Sequence, residues 1–202
     1  MRGALLDRDG VLLLMDEEAL YKKALALAAH GPGLEKTLSV LAWAMREILE
    51  AVRWRKVRTL EEEARFFEAL AQKAAQNLGL PPERLKGLRY YHFMRKAPGA
   101  EALLRSLKAQ GLKVGVLSNT LPSLKESLAY HGLDGYIDGF FASCAMGVAK
   151  PDPEAFLLAL KGLGLSPEET LYLDDDPENV ETARRLGLRA EVYALHQSAV
   201  DS

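Results

Sequence analysis

The sequence predicts an α/β protein: a Rossmann-like parallel sheet with helices on both faces, into which an all-α helical-bundle cap domain is inserted. Three observations predict it. Gly3-Ala4-Leu5-Leu6 is a short apolar run that ends abruptly in acids and glycine, as suits a strand buried on both faces. The next eighty or so residues show a period of about 3.6 and almost no strand signal. From Ala97-Pro98-Gly99 onward, apolar runs alternate with helical patterns, which is how parallel strands joined by crossover helices read. The first strand therefore belongs with the later ones, giving a core of 1–14 and 97–202 and a cap of 15–96.

Within the helical block, Glu17 to His30 reads as a helix stopped by Gly31 and Pro32, and Leu34 to about Val52 as a second. Thr59 with Glu62 three residues later is a capping box opening a third, which runs to Leu78 and stops at Gly79. Pro81-Pro82 predicts the start of a shorter fourth helix. The two crossings to the core, near Leu12–Leu14 and Ala97-Pro98, are expected to act as hinges. In the core, helix Ala100–Gln110 precedes strand Lys113–Leu117, and Pro122 suits the start of the next helix. The apolar piece Gly139–Ala142, a helix after Asp152-Pro153, strand Thr170–Leu173, helix Pro177–Leu186 and strand Ala190–Tyr193 complete the pattern.

Composition narrows the function classes. A chain of 202 residues, 49% hydrophobic, can bury one sizeable core plus a smaller insert. Lys plus Arg is 26 against 28 for Asp plus Glu, and a net charge of −2 argues against nucleic acid as a partner. The single cysteine, Cys144, excludes an internal disulfide and fits a reducing compartment. The apolar run before Asp7 is too short for a leader or a membrane span. A soluble cytoplasmic protein, monomer or homodimer, is expected.

Three polar clusters fall where strands end at their carboxyl edge: Asp7-x-Asp9, Ser118-Asn119 and Asp174-Asp175. Lys150 lies in a fourth connection. Open parallel sheets bind ligands at that edge. Several carboxylates packed there are costly unless a cation shares the site, and Mg²⁺ takes one or two carboxylates while leaving room for phosphate oxygens. Ser118 offers a hydroxyl and Lys150 a point charge, a set able to hold a phosphoryl group against a carboxylate nucleophile. Asp176 before Pro177 reads as a helix N-cap rather than a ligand, and Asp152-Pro153 repeats the logic. Backbone N–H groups near Pro122 are a further candidate cradle for phosphate.

The order LLDRDGVL, VLSN, KPDPEAF, LYLDDDPENV resembles the haloacid dehalogenase-like hydrolase superfamily, in the subfamily I branch with a helical C1-type cap that includes phosphoglycolate phosphatases and β-phosphoglucomutases. The motifs run from Asp7 to Asn179, nearly the whole chain, and Asp9 is the phosphatase-type residue of the family's first motif. The resemblance implies that Asp7 attacks phosphorus and Asp9 acts as acid and then base. Ser118 and Asn119 would bind phosphoryl oxygens, and Lys150 would offset charge on Asp7 and phosphate. Mg²⁺ would be held by Asp7, the Asp9 carbonyl and Asp175, with Asp174 nearby. The implied activity is a phosphatase acting on a small phosphorylated metabolite, such as a sugar phosphate or phosphoglycolate. A phosphomutase and a non-catalytic binding protein on the same fold are the alternatives. Asn179 stands where many relatives carry an acid, a departure that touches the outer shell of the metal site.

Other residues read as structural. His30, His92, His131 and His196 share no ligand spacing, and Cys144 reads as a buried thiol. Trp43 and Trp54 lie about three helical turns apart and are expected on one face in the core of the helical block. The basic run Arg53, Arg55, Lys56, Arg58 reads as a solvated helix end.

Overall fold

The computed structural model describes residues 1–193; His196 and the rest of 194–202 lie outside them. The strands are β1 (Gly3–Leu6), β2 (Leu13–Met15), β3 (Met94–Lys96), β4 (Lys113–Ser118), β5 (Gly139–Ala142), β6 (Thr170–Asp174) and β7 (Arg189–Val192). The helices are α1 (Glu17–Ala28), α2 (Leu34–Arg53), α3 (Leu60–Leu78), α4 (Ala100–Ala109), α5 (Leu124–Tyr130), α6 (Ser143–Met146), α7 (Pro153–Leu163) and α8 (Pro177–Arg185). Five strands form a parallel sheet in the order β5-β4-β1-β6-β7, the α/β class the sequence predicts. The chain builds outward from β1 to β5 on one side and then returns to place β6 and β7 on the other. The order therefore reverses between β1 and β6, where such sheets open a ligand crevice.

Alternation along β1 feeds two cores. Ala4 and Leu6 join Val114, Val116, Leu104 and Leu128 on one face; Leu5 joins Leu117, Tyr172, Phe156 and Val180 on the other. Phe67 and Tyr90 belong to the first of these clusters, so the helical block packs continuously onto the sheet. A third cluster, with Leu27, Val40, Ala75 and Leu78, binds α1, α2 and α3 to one another. No described helix is long and apolar enough to cross a membrane.

The local signals act as read. Thr59 Oγ1 accepts from the Glu62 N–H at 3.1 Å, and the Glu62 carboxylate accepts from the Thr59 N–H at 3.3 Å. Asp152 and Asp176 cap α7 and α8, each ahead of a proline at the first helical position.

Three expectations need correction. The fourth helix is only a 3₁₀ turn, Pro82–Arg84: proline removes a donor, and Gly87 at φ +77° ends the segment before an α-turn can propagate. Pro122 does not open α5, which starts at Leu124 behind Ser123. The buried Glu63 of α3 takes both the Ser123 N–H (2.8 Å) and its hydroxyl (2.5 Å), and the Thr120 N–H goes to Ser143, so these amides are not a phosphate cradle. Trp54 is 58% exposed and bonds to Glu50, while Trp43 packs inward, because the helix ends at Arg53 and the face they were expected to share ends with it. The crossings expected as hinges are paired with each other: β2 and β3 form an antiparallel ribbon with Leu13 opposite Lys96, a pairing the sequence did not signal. Three-residue strands brought together across the whole helical block carry no periodic signal.

Candidate active site

Register sets the site. Leu6 lies opposite Val116 of β4 and Leu173 of β6, so the next residues along bring Asp7 beside Asp174, with Ser118 at the end of the neighbouring strand. Lys150 enters from the loop ahead of α7, and its buried ammonium lies 3.0 Å from Asp7 Oδ1 and 2.6 Å from Asp174 Oδ2. Asn119 holds the backbone that carries it. Its side-chain amide donates to the Lys150 carbonyl at 2.8 Å, and its side-chain oxygen accepts from the Lys150 N–H at 2.9 Å. The Asn119 side chain is thus spent on positioning the lysine. The Ser118 hydroxyl is fully buried and has no partner among the described residues. Leaving it unpaired costs about 1–3 kcal/mol, a deficit that a ligand oxygen would remove.

The two adjacent acids at the end of β6 do different work. Asp174 Oδ2 accepts from Lys150, from Asn179 Nδ2 at 3.1 Å and from the Tyr172 hydroxyl, and its Oδ1 accepts from the Asp176 N–H at 2.8 Å. Asp174 is therefore an anchor for Lys150. Asp175 has no cationic partner among the described residues, and its carboxylate lies against Gly10. A Cβ on Gly10 would stand 2.1 Å from Asp175 Oδ2, and φ is +76° there, so only glycine suits the position. Oxygens of Asp7, Asp174 and Asp175 lie within 4.8 Å of one another. Asp174 is thus bonded on both oxygens, whereas Asp175 has no cation beside it among the described residues.

Burial pushes the Asp7 carboxyl up to about 7, with Lys150 pulling against it and Asp174 adding to the rise. Burial also raises Asp175, and the Asp174 charge adds to that. Burial disfavours the Lys150 ammonium, but Asp7 and Asp174 outweigh it and hold it above its ordinary value. Two of the three gathered carboxylates share one ammonium and the third has none, so the donor set fits a hard divalent cation.

Arg8 is a participant the sequence reading passed over. It is buried, donates from Nε and Nη2 to the two Asp9 oxygens at 3.0 and 2.8 Å, and from Nη1 to the Tyr90 hydroxyl at 2.7 Å. Its guanidinium carbon also sits 5.0 Å from the centre of the Tyr90 ring. The only signal in the sequence is an arginine between two acids at a strand end, which reads equally well as solvated. Held this way, the Asp9 side chain stays half exposed and lines a cleft between α2 and the sheet edge.

A family model described as haloacid dehalogenase-like hydrolase matches residues 1–187. The chain belongs to the haloacid dehalogenase-like hydrolases. A phosphoserine phosphatase of Thermus thermophilus is 34% identical to this hydrolase over 132 residues, covering 62% of the chain but only 53% of the relative, so the chain spans about half that protein's length. A phosphorylated carbohydrates phosphatase of Thermotoga maritima is 27% identical over 218 aligned residues, covering 100% of the chain and 88% of that protein. A family enzyme of Bacteroides thetaiotaomicron, solved with magnesium and inorganic phosphate, shares the fold with a TM-score of 0.66, at 18% identity over 95% of this chain and 93% of that one.

In this hydrolase the three described histidines make contacts away from the acids. His30 pairs with Arg84, His92 accepts from the Arg89 N–H, and His131 contacts the Tyr91 carbonyl. Burial raises the Cys144 thiol to about 11, which leaves it protonated and unreactive. None of Arg53, Arg55, Lys56 and Arg58 lines the cleft at Asp9; Arg58 lies instead on Gly147.

Proposed function

We propose that this hydrolase releases phosphate from phosphomonoesters by way of an aspartyl-phosphate on Asp7. One observation carries the reading: the Lys150 ammonium is buried between Asp7 and Asp174 beside the unpartnered Ser118 hydroxyl, which makes a cationic seat for a phosphoryl group at a carboxylate. An Asp7 oxygen forms a bond to phosphorus as the bond to the leaving oxygen breaks, and Asp9 gives that oxygen its proton. Asp9, now ionised, takes a proton from water. The resulting hydroxide attacks the phosphorus, phosphate leaves, and the Asp7 carboxylate is restored. Ser118 and the Asn119 backbone amide bind the phosphoryl oxygens, and Lys150 offsets their charge. Asp7, the Asp9 backbone carbonyl and Asp175 would hold Mg²⁺, which when bound supplies further charge neutralisation at the phosphoryl group.

The helical block, 15–96, is the cap of this reading, of the C1 type inserted after the first motif, and 1–14 with 97–202 the core. The β2–β3 ribbon is its hinge, and the bond that Arg8 donates to the Tyr90 hydroxyl ties the turn just ahead of β3 to the residue that holds Asp9.

The test is phosphate release from p-nitrophenyl phosphate and a panel of phosphomonoesters with Mg²⁺ and with EDTA. Release that EDTA abolishes is expected; release indifferent to EDTA would remove the metal from the mechanism. Asp175→Ala should raise the Mg²⁺ concentration for half-maximal rate at least about tenfold, and Gly10→Ala should move it the same way by displacing the Asp175 carboxylate. Unchanged metal dependence in both would take Asp175 out of the ligand set.

A further inference from the structure

The cleft beside Asp9 is built for an apolar leaving group. It has a volume of about 150 Å³, and Asp9, Asn119 and Thr120 line it, the residues that follow Asp7 and Ser118 along the chain, so it lies next to the phosphate seat. Its wall is Met45, Ile48, Leu49 and Val52, with Met15 and Met94 from the hinge ribbon. The α2 residues stand at i, i+3, i+4 and i+7, one stripe of one helix. Ile48 and Val52 of that stripe pack against the core, whereas Leu49 is 59% exposed, and Met15 of β2 is 44% exposed. Large apolar side chains held half in water at the mouth of a reaction site point to a ligand that covers them.

The polar groups in the cleft are already committed. Arg8 is shared between Asp9 and Tyr90, the Thr120 hydroxyl donates to the Tyr90 oxygen, and the Asn119 side chain is bound to the Lys150 backbone. A sugar's hydroxyls would find only the Asp9 carboxylate, which the reaction itself engages, and the Thr120 oxygen as side-chain acceptors, and no free side-chain donor. A carboxylate on the leaving group would meet Asp9 and no uncommitted cation.

Resting on the phosphatase reading above, we propose that the preferred substrate is the phosphate monoester of an uncharged, apolar alcohol whose hydrocarbon part lies along the α2 stripe between Met15 and Met94. This departs from the sugar phosphate or phosphoglycolate expected from the motifs. The thioethers of three methionines give the wall a surface that adapts to chains of different shape.

The test is kcat/KM for a series of n-alkyl phosphates from propyl to octyl, beside phosphoserine, phosphoglycolate and glucose 6-phosphate, all with Mg²⁺. Each added methylene should raise kcat/KM about three- to fourfold until the cleft is filled, and the longer esters should exceed the polar compounds by at least about tenfold. Leu49→Gln, at an exposed position where folding tolerates the change, should lower kcat/KM for the octyl ester by about tenfold. Inhibition by inorganic phosphate, bound at Ser118 and Lys150, should be unchanged in that variant. A flat alkyl series, with phosphate released fastest from phosphoserine, phosphoglycolate or the sugar phosphate, overturns the inference and leaves the phosphatase reading standing. No release from any compound overturns both.

Discussion

Asp7→Asn is expected to abolish phosphate release and, with EDTA present, to raise the stability of the fold. The first effect follows, in the proposed mechanism, from losing the nucleophile, a fall of at least about 10³-fold. The second follows from burial. The Asp7 carboxyl sits at about 7 in the folded chain against an ordinary 3.8. Between those values the folded chain holds a proton that the unfolded chain has released, so stability declines as pH climbs through that window. Asparagine has no such slope. The advantage of the variant should grow from pH 4 to 7, level off above, and reach at most about 4 kcal/mol, or roughly 10 °C in Tm. Thermal melts in EDTA across that range test it. A variant less stable than the parent at pH 8 would show that the Lys150 pair outweighs the cost of burying Asp7.

Lys150→Met should do the opposite. It also stops turnover, but it leaves Asp7 and Asp174 buried side by side with Asp175 adjacent and no protein cation among them. Removing one partner of a buried ion pair costs about 3–5 kcal/mol, a drop in Tm of roughly 10 °C for a chain this size. Because a divalent cation binds only where the carboxylates are gathered, millimolar Mg²⁺ should return part of the loss. Melts of parent and variant with EDTA and with Mg²⁺ check both statements. A variant that melts within a degree of the parent in EDTA would refute the account of Lys150 as the counter-ion of this cluster.

Both variants act on residues that could be found without a structure. Asp7, Ser118 and Lys150 were legible because each stands where a strand meets a turn, and the turn chemistry is local: an acid pair with Gly10, a serine ahead of a break, a lysine held before Pro151 and the Asp152 cap. Asp176 was legible as an N-cap for the same reason, and its bond to the Glu178 N–H spans only two residues. The failures share a different character. The turn at Pro82–Arg84 and the helix start at Leu124 hinge on how short a segment is and on who claims its amides. At Ser123 the claimant is Glu63, sixty residues away.

The sequence by itself determined the sheet, the order of its strands' polar ends and the residues gathered there. Apolar runs of strand length and cap-proline pairs are properties of neighbouring residues, and a parallel sheet has one edge where such ends converge. Tertiary structure alone decided the division of labour between Asp174 and Asp175, the commitment of Arg8 to both Asp9 and Tyr90, the pairing of β2 with β3, and the apolar stripe of α2 that faces the acid. Those depend on contacts between distant segments: Lys150 reaches Asp174 across 24 residues and Arg8 reaches Tyr90 across 82. Two adjacent aspartates are chemically identical on paper, and burial with three donors on one oxygen makes the first an anchor and leaves the second without a cationic partner among the described residues.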